Sequence, residues 1–147
     1  MELYVKHYTE LTRDELFDIF AARSAVFVVE QNCVYQDIDA YDKQAYHVFL
    51  RNNDALVAYL RVIDRRNEGG EVMIGRVISL HRRCGLGSRI VQAGIAAAKE
   101  KFAAKRIRIE AQSYAIPFYA QQGFRQTSDE FLEDGIPHVE MLLDCDA

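Results

Sequence analysis

The chain has 147 residues, 50% of them hydrophobic and 27% charged, with a formal net charge of -4 at pH 7. Those values describe a globular chain long enough to bury a real core, and they exclude a disordered or repetitive one. The acidic balance argues against broad binding to nucleic acid or to a membrane surface, although a local basic site is still allowed.

Leu3 to Tyr8 reads as an edge strand. Thr12-Arg13-Asp14-Glu15 spells a capping box, in which Thr12 serves the N3 amide while Glu15 reaches back, and Leu11 and Leu16 fit a hydrophobic staple. Leu16, Ile19 and Phe20, then Val26 and Phe27, recur at helical spacing. They predict a helix from Arg13 to Phe27, with Arg23 as a charged exception on its apolar stripe. The next segment, to Gln44, has no clean period and interleaves Glu30, Asp37, Asp39 and Asp42 with Tyr35 and Tyr41. It reads as an irregular surface segment, of a length that is usually functional or mobile.

Ala45 to Arg51 and Ala55 to Asp64 are β-rich runs around Asn52-Asn53-Asp54, a hairpin signal. A polar loop from Arg65 to Gly70 leads into a strand from Val72 to Ile78, which predicts a second hairpin. An amphipathic helix follows from Ser88 to Phe102. Arg106 to Gln112 alternates as a strand, and Ala115 to Gln121 is a short helix stopped by Gly123. Phe124 onward is strand-like, Asp129 to Pro137 reads as a loop, and His138 to Leu143 is a terminal strand. The sum is a mixed α/β domain around one sheet, spanning residues 1–147.

Three cysteines, Cys33, Cys84 and Cys145, have no metal-type spacing and fit reduced thiols in a cytoplasmic protein. The start, M-E-L-Y-V-K-H-Y, has no apolar signal-peptide core, and no run approaches the ~20 apolar residues of a membrane span.

The most informative stretch is Arg82-Arg83-Cys84-Gly85-Leu86-Gly87-Ser88. A strand, a glycine turn and a helix start cluster free backbone N–H groups at the positive end of a helix dipole. The glycines let an anion approach, and Arg82 and Arg83 add charge. A phosphate or pyrophosphate cradle is the reading this supports. A nucleoside-triphosphate P-loop is disfavoured because no Lys-Ser/Thr follows the glycines.

Arg82-Arg83-Cys84-Gly85-Leu86-Gly87 resembles the Q/R-x-x-G-x-G/A pyrophosphate loop of the GNAT superfamily of acyl-CoA-dependent N-acyltransferases. Pro117-Phe118-Tyr119-Ala120-Gln121-Gln122-Gly123-Phe124 resembles its F-Y-x-x-x-G-F segment. Gln112 stands where that superfamily often has Asn, and Ala115 matches its Ala. More narrowly, A-V-F-V-V-E-Q-N-C-V-Y-Q-D-I-D, I-G-R-V-I and D-G-I-P-H resemble the ElaA-like subgroup.

The resemblance implies the GNAT fold, a central, mostly antiparallel twisted sheet flanked by helices. It also implies acetyl-CoA, with no metal, in a gap between the strands ending near Ile78 and Gln112. Backbone groups of Val77, Ile78 and Ser79 would meet the pantetheine arm, and the amides from Arg83 through Gly85, Leu86 and Gly87 to Ser88 would hold the pyrophosphate. Gln112, Phe118 and Tyr119 would lie near the thioester, with Tyr119 as general acid for the departing thiolate.

The expected reaction is N-acetylation of a primary amine, small molecule or peptide, by direct attack in a ternary complex. The alternative is a GNAT-like module that binds acyl-CoA as a sensor without turnover. Glu30, Gln31, Asp37, Asp39, His47 and His138 are the candidate acceptor contacts, the acidic segment either drawing in a cationic amine or pairing with Arg23 and Arg76 to build the site. The general base is open among Glu30, His47, Glu71, His138 and a water chain, and a homodimer is one open assembly.

Overall fold

The computed structural model describes residues 1–80 and 85–145. Its strands are β1 (Glu2–His7), β2 (Tyr46–Asn52), β3 (Ala55–Asp64), β4 (Val72–Ser79), β5 (Arg106–Gln112), β6 (Arg125–Gln126), β7 (Phe131–Glu133) and β8 (Ile136–Asp144). The helices are α1 (Arg13–Arg23), α2 (Leu86–Phe102) and α3 (Ile116–Gln121). All the strands join one sheet in the order β1-β2-β3-β4-β5-β8-β6, with β7 also paired to β8. Every pairing is antiparallel except β4 with β5, which run parallel and are joined through α2. This is the mixed sheet flanked by helices that the sequence predicts.

The two faces carry separate cores. Alternating residues of β2 to β5, among them Val48, Leu60, Ile74, Ile107 and Ile109, pack against Leu86, Ile90, Val91 and Ala98 of α2. On the other face Phe49, Tyr59 and Ile78 meet Ile19 of α1, with Phe20, Val26 and Phe27 around them. The helix sits close on the first face because Gly94 has no side chain. A Cβ there would lie 2.7 Å and 2.8 Å from the two methyls of the fully buried Leu60.

The capping box forms as read: the Glu15 amide donates to Thr12 Oγ1 at 3.0 Å and the Thr12 amide to Glu15 Oε1 at 2.8 Å. The predicted helix does not simply end at Phe27. After Arg23 it widens into a π-helical turn over Ser24–Glu30, in which the Gln31 and Cys33 amides reach five residues back to Val26 and Val28. That widening leaves Glu30 and Gln31 lining the cavity described below. The predicted loop from Asp129 to Pro137 is also corrected. It contains β7 and a tight turn at Asp134-Gly135, both with positive φ (51° and 77°), so β8 starts at Ile136 rather than His138. Asp-Gly is a hairpin signal because both central positions of that turn need left-handed backbone.

Gly94→Val is expected to lower the unfolding free energy by about 1–3 kcal/mol by overpacking against Leu60. The measurement is urea denaturation; an unchanged midpoint would contradict the close approach of α2.

Candidate active site

β4 and β5 pair only at Val72–Ile107 and Met73–Arg108. Beyond that point each keeps its outer neighbour, β4 as far as Ser79 on β3 and β5 as far as Gln112 on β8, while the two part from each other. The parting coincides with a bulge. β4 uses one more residue than β3 between Gly75 and Ile78, and Arg76 takes a left-handed φ of 53°. A bulge bends its strand and ends pairing locally, and the left-handed conformation costs about 1–2 kcal/mol in an L-residue. A cavity of about 1140 Å³ occupies the resulting gap.

What holds the strained position is a largely buried network of three guanidinium and three carboxylate groups. Arg23 Nη1 donates to Asp42 Oδ1 at 2.6 Å and its Nε to Asp37 Oδ2 at 3.1 Å. Arg61 bridges Asp42 at 3.0 Å and Asp39 at 2.7 Å. Arg76 Nε lies 2.8 Å from Asp37 Oδ1 as an ion-pair contact, and its Nη2 donates to the Asp37 carbonyl at 3.0 Å. Its guanidinium also stands 5.4 Å from the centre of the Tyr35 ring.

Burial opposes the charge on Asp42, but the hydrogen bond and charge of Arg23, with Arg61 behind it, hold its carboxyl below the usual range. Asp39 is held down in the same way, Arg61 outweighing the burial. His47 belongs to this network too. Its Nε2 faces the Asp42 carbonyl at 3.0 Å and must donate, so its Nδ1, 2.7 Å from Tyr59 Oη, accepts the tyrosine proton. Burial lowers its pKa and keeps it neutral.

These contacts revise the expected acceptor wall. Asp37 and His47 are buried away from the cavity, and Asp39, which lines it, is committed to Arg61 and Arg76. The acidic segment therefore builds the gap instead of presenting a row of open carboxylates. Glu71 is misplaced as a base: it precedes the closed end of the β4–β5 pair and faces Arg106 at 3.8 Å. Glu30, Gln31 and His138 do line the cavity.

Val77, Ile78, Ser79, Gly85, Gly87, Ser88, Gln112, Phe118 and Tyr119 line the same cavity. Gly85 caps α2 in a left-handed conformation with no side-chain bond, and the first helical hydrogen bond is Arg89 N–H to the Gly85 carbonyl. The Leu86, Gly87 and Ser88 amides thus have no partner within the helix, although the Leu86 side chain is in the core. The two distant sequence motifs meet here. A Cβ on Gly87 would stand 3.4 Å from Phe118 Cζ, and Gln122 ties α3 to Ser88 Oγ at 3.0 Å. Arg82, Arg83 and Cys84 lie outside the described residues.

Tyr119 packs edge-on to Phe118 and Phe124, and among the described residues nothing hydrogen-bonds its hydroxyl. Burial, with a smaller push from Tyr114, raises its pKa and keeps the phenol protonated.

Two cavity groups escaped the sequence reading. Glu110 stands on the face of β5 opposite Ile109 and Ala111, and Glu133 ends β7. Burial first, then the neighbouring Glu110 carboxyl, push Glu133 up to about 8. His138 Nε2 lies 3.6 Å from Glu133 Oε2. Cys33 Sγ meets the Asp134 carbonyl at 3.6 Å, fastening the irregular segment to the β7–β8 turn. The signal for Glu133 was the Asp134-Gly135 dipeptide, which folds β7 back onto β8.

Comparison with known proteins agrees with this geometry. The family described as the acetyltransferase (GNAT) domain matches residues 9–145. A UPF0039 protein of Schizosaccharomyces pombe is 40% identical, over 98% of this chain and 97% of its own length. ElaA of Escherichia coli is 36% identical over 92% of this chain and 91% of its own. The crystal structure of Escherichia coli ElaA superposes with a TM-score of 0.91 at 34% identity, covering 97% of this chain and 99% of that one. An acyl-CoA N-acyltransferase from Pseudomonas aeruginosa does so with a TM-score of 0.90, also at 34% identity and with the same coverage.

Asp42→Asn is expected to cost about 3–5 kcal/mol at neutral pH, because Arg23 and Arg61 lose a buried counter-charge. A depressed carboxyl contributes stability above its unfolded pKa and loses it as pH falls through the folded one. The gap between wild type and variant in urea denaturation should hold from pH 8 down to about pH 5 and shrink in more acid solution. A gap that vanishes at neutral pH would contradict the network.

Proposed function

The chain belongs to the GNAT acetyltransferase family, and on that premise we propose that it transfers an acetyl group from acetyl-CoA to a primary amine by direct attack in a ternary complex. The observation that carries this reading is one gap that combines a β4 edge unpaired with β5, the α2 amides that have no partner within the helix, and a Tyr119 hydroxyl with no hydrogen bond among the described residues. The free edge suits an extended amide-bearing arm, which adds to it like a strand. The Leu86 to Ser88 amides suit a pyrophosphate at the positive end of α2. Gly87 leaves the room that such an anion needs beside Phe118.

Acetyl-CoA supplies the activated acyl group; the remaining work is proton movement. A lysine-like amine with a pKa near 10.4 is neutral at pH 7 in only about one molecule in 2,500, a demand of roughly 4.6 kcal/mol. A thiolate leaving from a thiol of pKa about 8.5 needs only about 2 kcal/mol of help. Tyr119 serves the smaller demand. Because burial keeps its phenol protonated, its O–H is a donor for the sulfur as the C–S bond breaks. Gln112 and Phe118 flank the same region and orient the thioester. The acceptor enters past Glu30, Gln31 and His138.

The direct experiment is thiol release from acetyl-CoA across polyamines, amino acids, aminoglycosides and lysine peptides. Amine-dependent release is expected; tight binding of acetyl-CoA without release from any amine would favour a sensor. Tyr119→Phe should lower kcat by about 10²-fold or more while acetyl-CoA still binds, and an unchanged kcat would remove the phenol from the mechanism. Gly87→Leu should abolish acetyl-CoA binding in calorimetry without unfolding the protein. Retained affinity would sink the cradle.

A further inference from the structure

Glu110 on β5 and Glu133 on β7 lie on different elements from the β4 edge and the α2 amides. Both groups line the cavity, where Glu110 is a near enough neighbour to raise the Glu133 carboxyl. The groups facing Glu133 are Glu110 on β5, Asp134 in its own turn, His138 on β8 and Arg76 at the β4 bulge. Arg76 is committed to Asp37 and Asp39, and Arg108 is divided between Glu110 at 3.1 Å and Glu140 at 3.0 Å.

His138 completes the set. Its Nδ1–H donates to the Ile136 carbonyl at 2.7 Å, and the ring stacks on Phe131, which fixes its plane. The lone pair of the neutral ring is therefore on Nε2, 3.6 Å from Glu133 Oε2, and among the described residues no hydrogen bond occupies it.

From this geometry we infer that Glu133 takes the proton of the incoming amine, with Glu110 as its positioning partner and His138 Nε2 as the next proton carrier. The inference rests on the acyl-transfer reading above. An N–H bond of the ammonium breaks and an O–H bond forms on Glu133, leaving a neutral amine. Its lone pair forms the C–N bond as the C–S bond breaks. Tyr119 protonates the sulfur, and the amine's second proton replaces the one Tyr119 gave. The proton on Glu133 passes to His138 Nε2 and on to solvent.

Proton affinity favours this carboxyl over the others. An ordinary Glu near 4.3 would draw a proton from an amine near 10.4 with an equilibrium about 10⁶-fold unfavourable. Glu133, raised to about 8 by burial and by Glu110, reduces that factor to about 10²–10³.

The test is the pH dependence of amine-dependent thiol release, joined to carbon-13 NMR of the glutamate carboxyls in the resting protein. In the wild type, kcat/KM for the amine should rise through about pH 8. Glu133→Gln should cut it by about 10²–10³-fold and remove that limb, with the acetyl-CoA KM unchanged. Glu110→Gln should keep the limb but move it to lower pH. A limb that survives in Glu133→Gln would overturn the inference. The NMR signal of Glu133 should titrate well above the ordinary carboxyl range and return toward it in Glu110→Gln. Ordinary titration in the wild type would also overturn the inference, even where no amine is turned over, an outcome that would by itself sink the acyl-transfer reading.

Discussion

The feature on which the site depends is the charge-balanced network of Arg23, Arg61 and Arg76 with Asp37, Asp39 and Asp42. It joins α1, the irregular segment, β3 and the β4 bulge. A buried ion network is weak evidence for stability, because desolvation consumes much of the Coulomb attraction. Its value here is positional. Arg76 must hold a left-handed backbone for β4 to leave β5, and its guanidinium is fixed from two aspartates and a tyrosine ring at once. The pairing is also demanding, since losing one member strands a buried charge.

Parting the two strands produces two kinds of surface in one cavity. The first is backbone: the freed edge of β4 and the uncapped amides of α2, which suit a long polar donor ending in a pyrophosphate. The second is a wall of titratable side chains drawn from β5, β7 and β8, where Glu110, Glu133 and His138 come together. Tyr119 lines the same cavity, and burial keeps its phenol protonated.

Much of the fold was legible because it is written in local patterns. The capping box at Thr12, the alternation from Arg106 to Gln112 and the amphipathic stripe of α2 each depend on residues a turn or a strand apart. The glycine loop and the F-Y-x-x-x-G-F segment were also readable, and they meet as Gly87 against Phe118. What stayed hidden is pairing over long separations. The sequence allows Arg23 and Arg76 to pair with the acidic segment after Phe27, but nothing in it brings in Arg61 or says which aspartates are taken, so Asp37 and Asp39 also read as substrate contacts. His47 looked like a base for the same reason, although Tyr59 and the Asp42 carbonyl occupy both its nitrogens. Glu133 was concealed in the opposite way. It sits in a stretch too short and polar to read as a strand, and only the fold-back at Asp134-Gly135 brings it to Glu110.

Amide hydrogen exchange with and without saturating acetyl-CoA tests most directly whether the β4–β5 gap is the seat of an acyl-CoA. Protection is expected at Val77 to Ser79 and at Leu86 to Ser88, with no change in the β1–β2 pair. Saturable binding that leaves those amides as exchangeable as before would contradict the account.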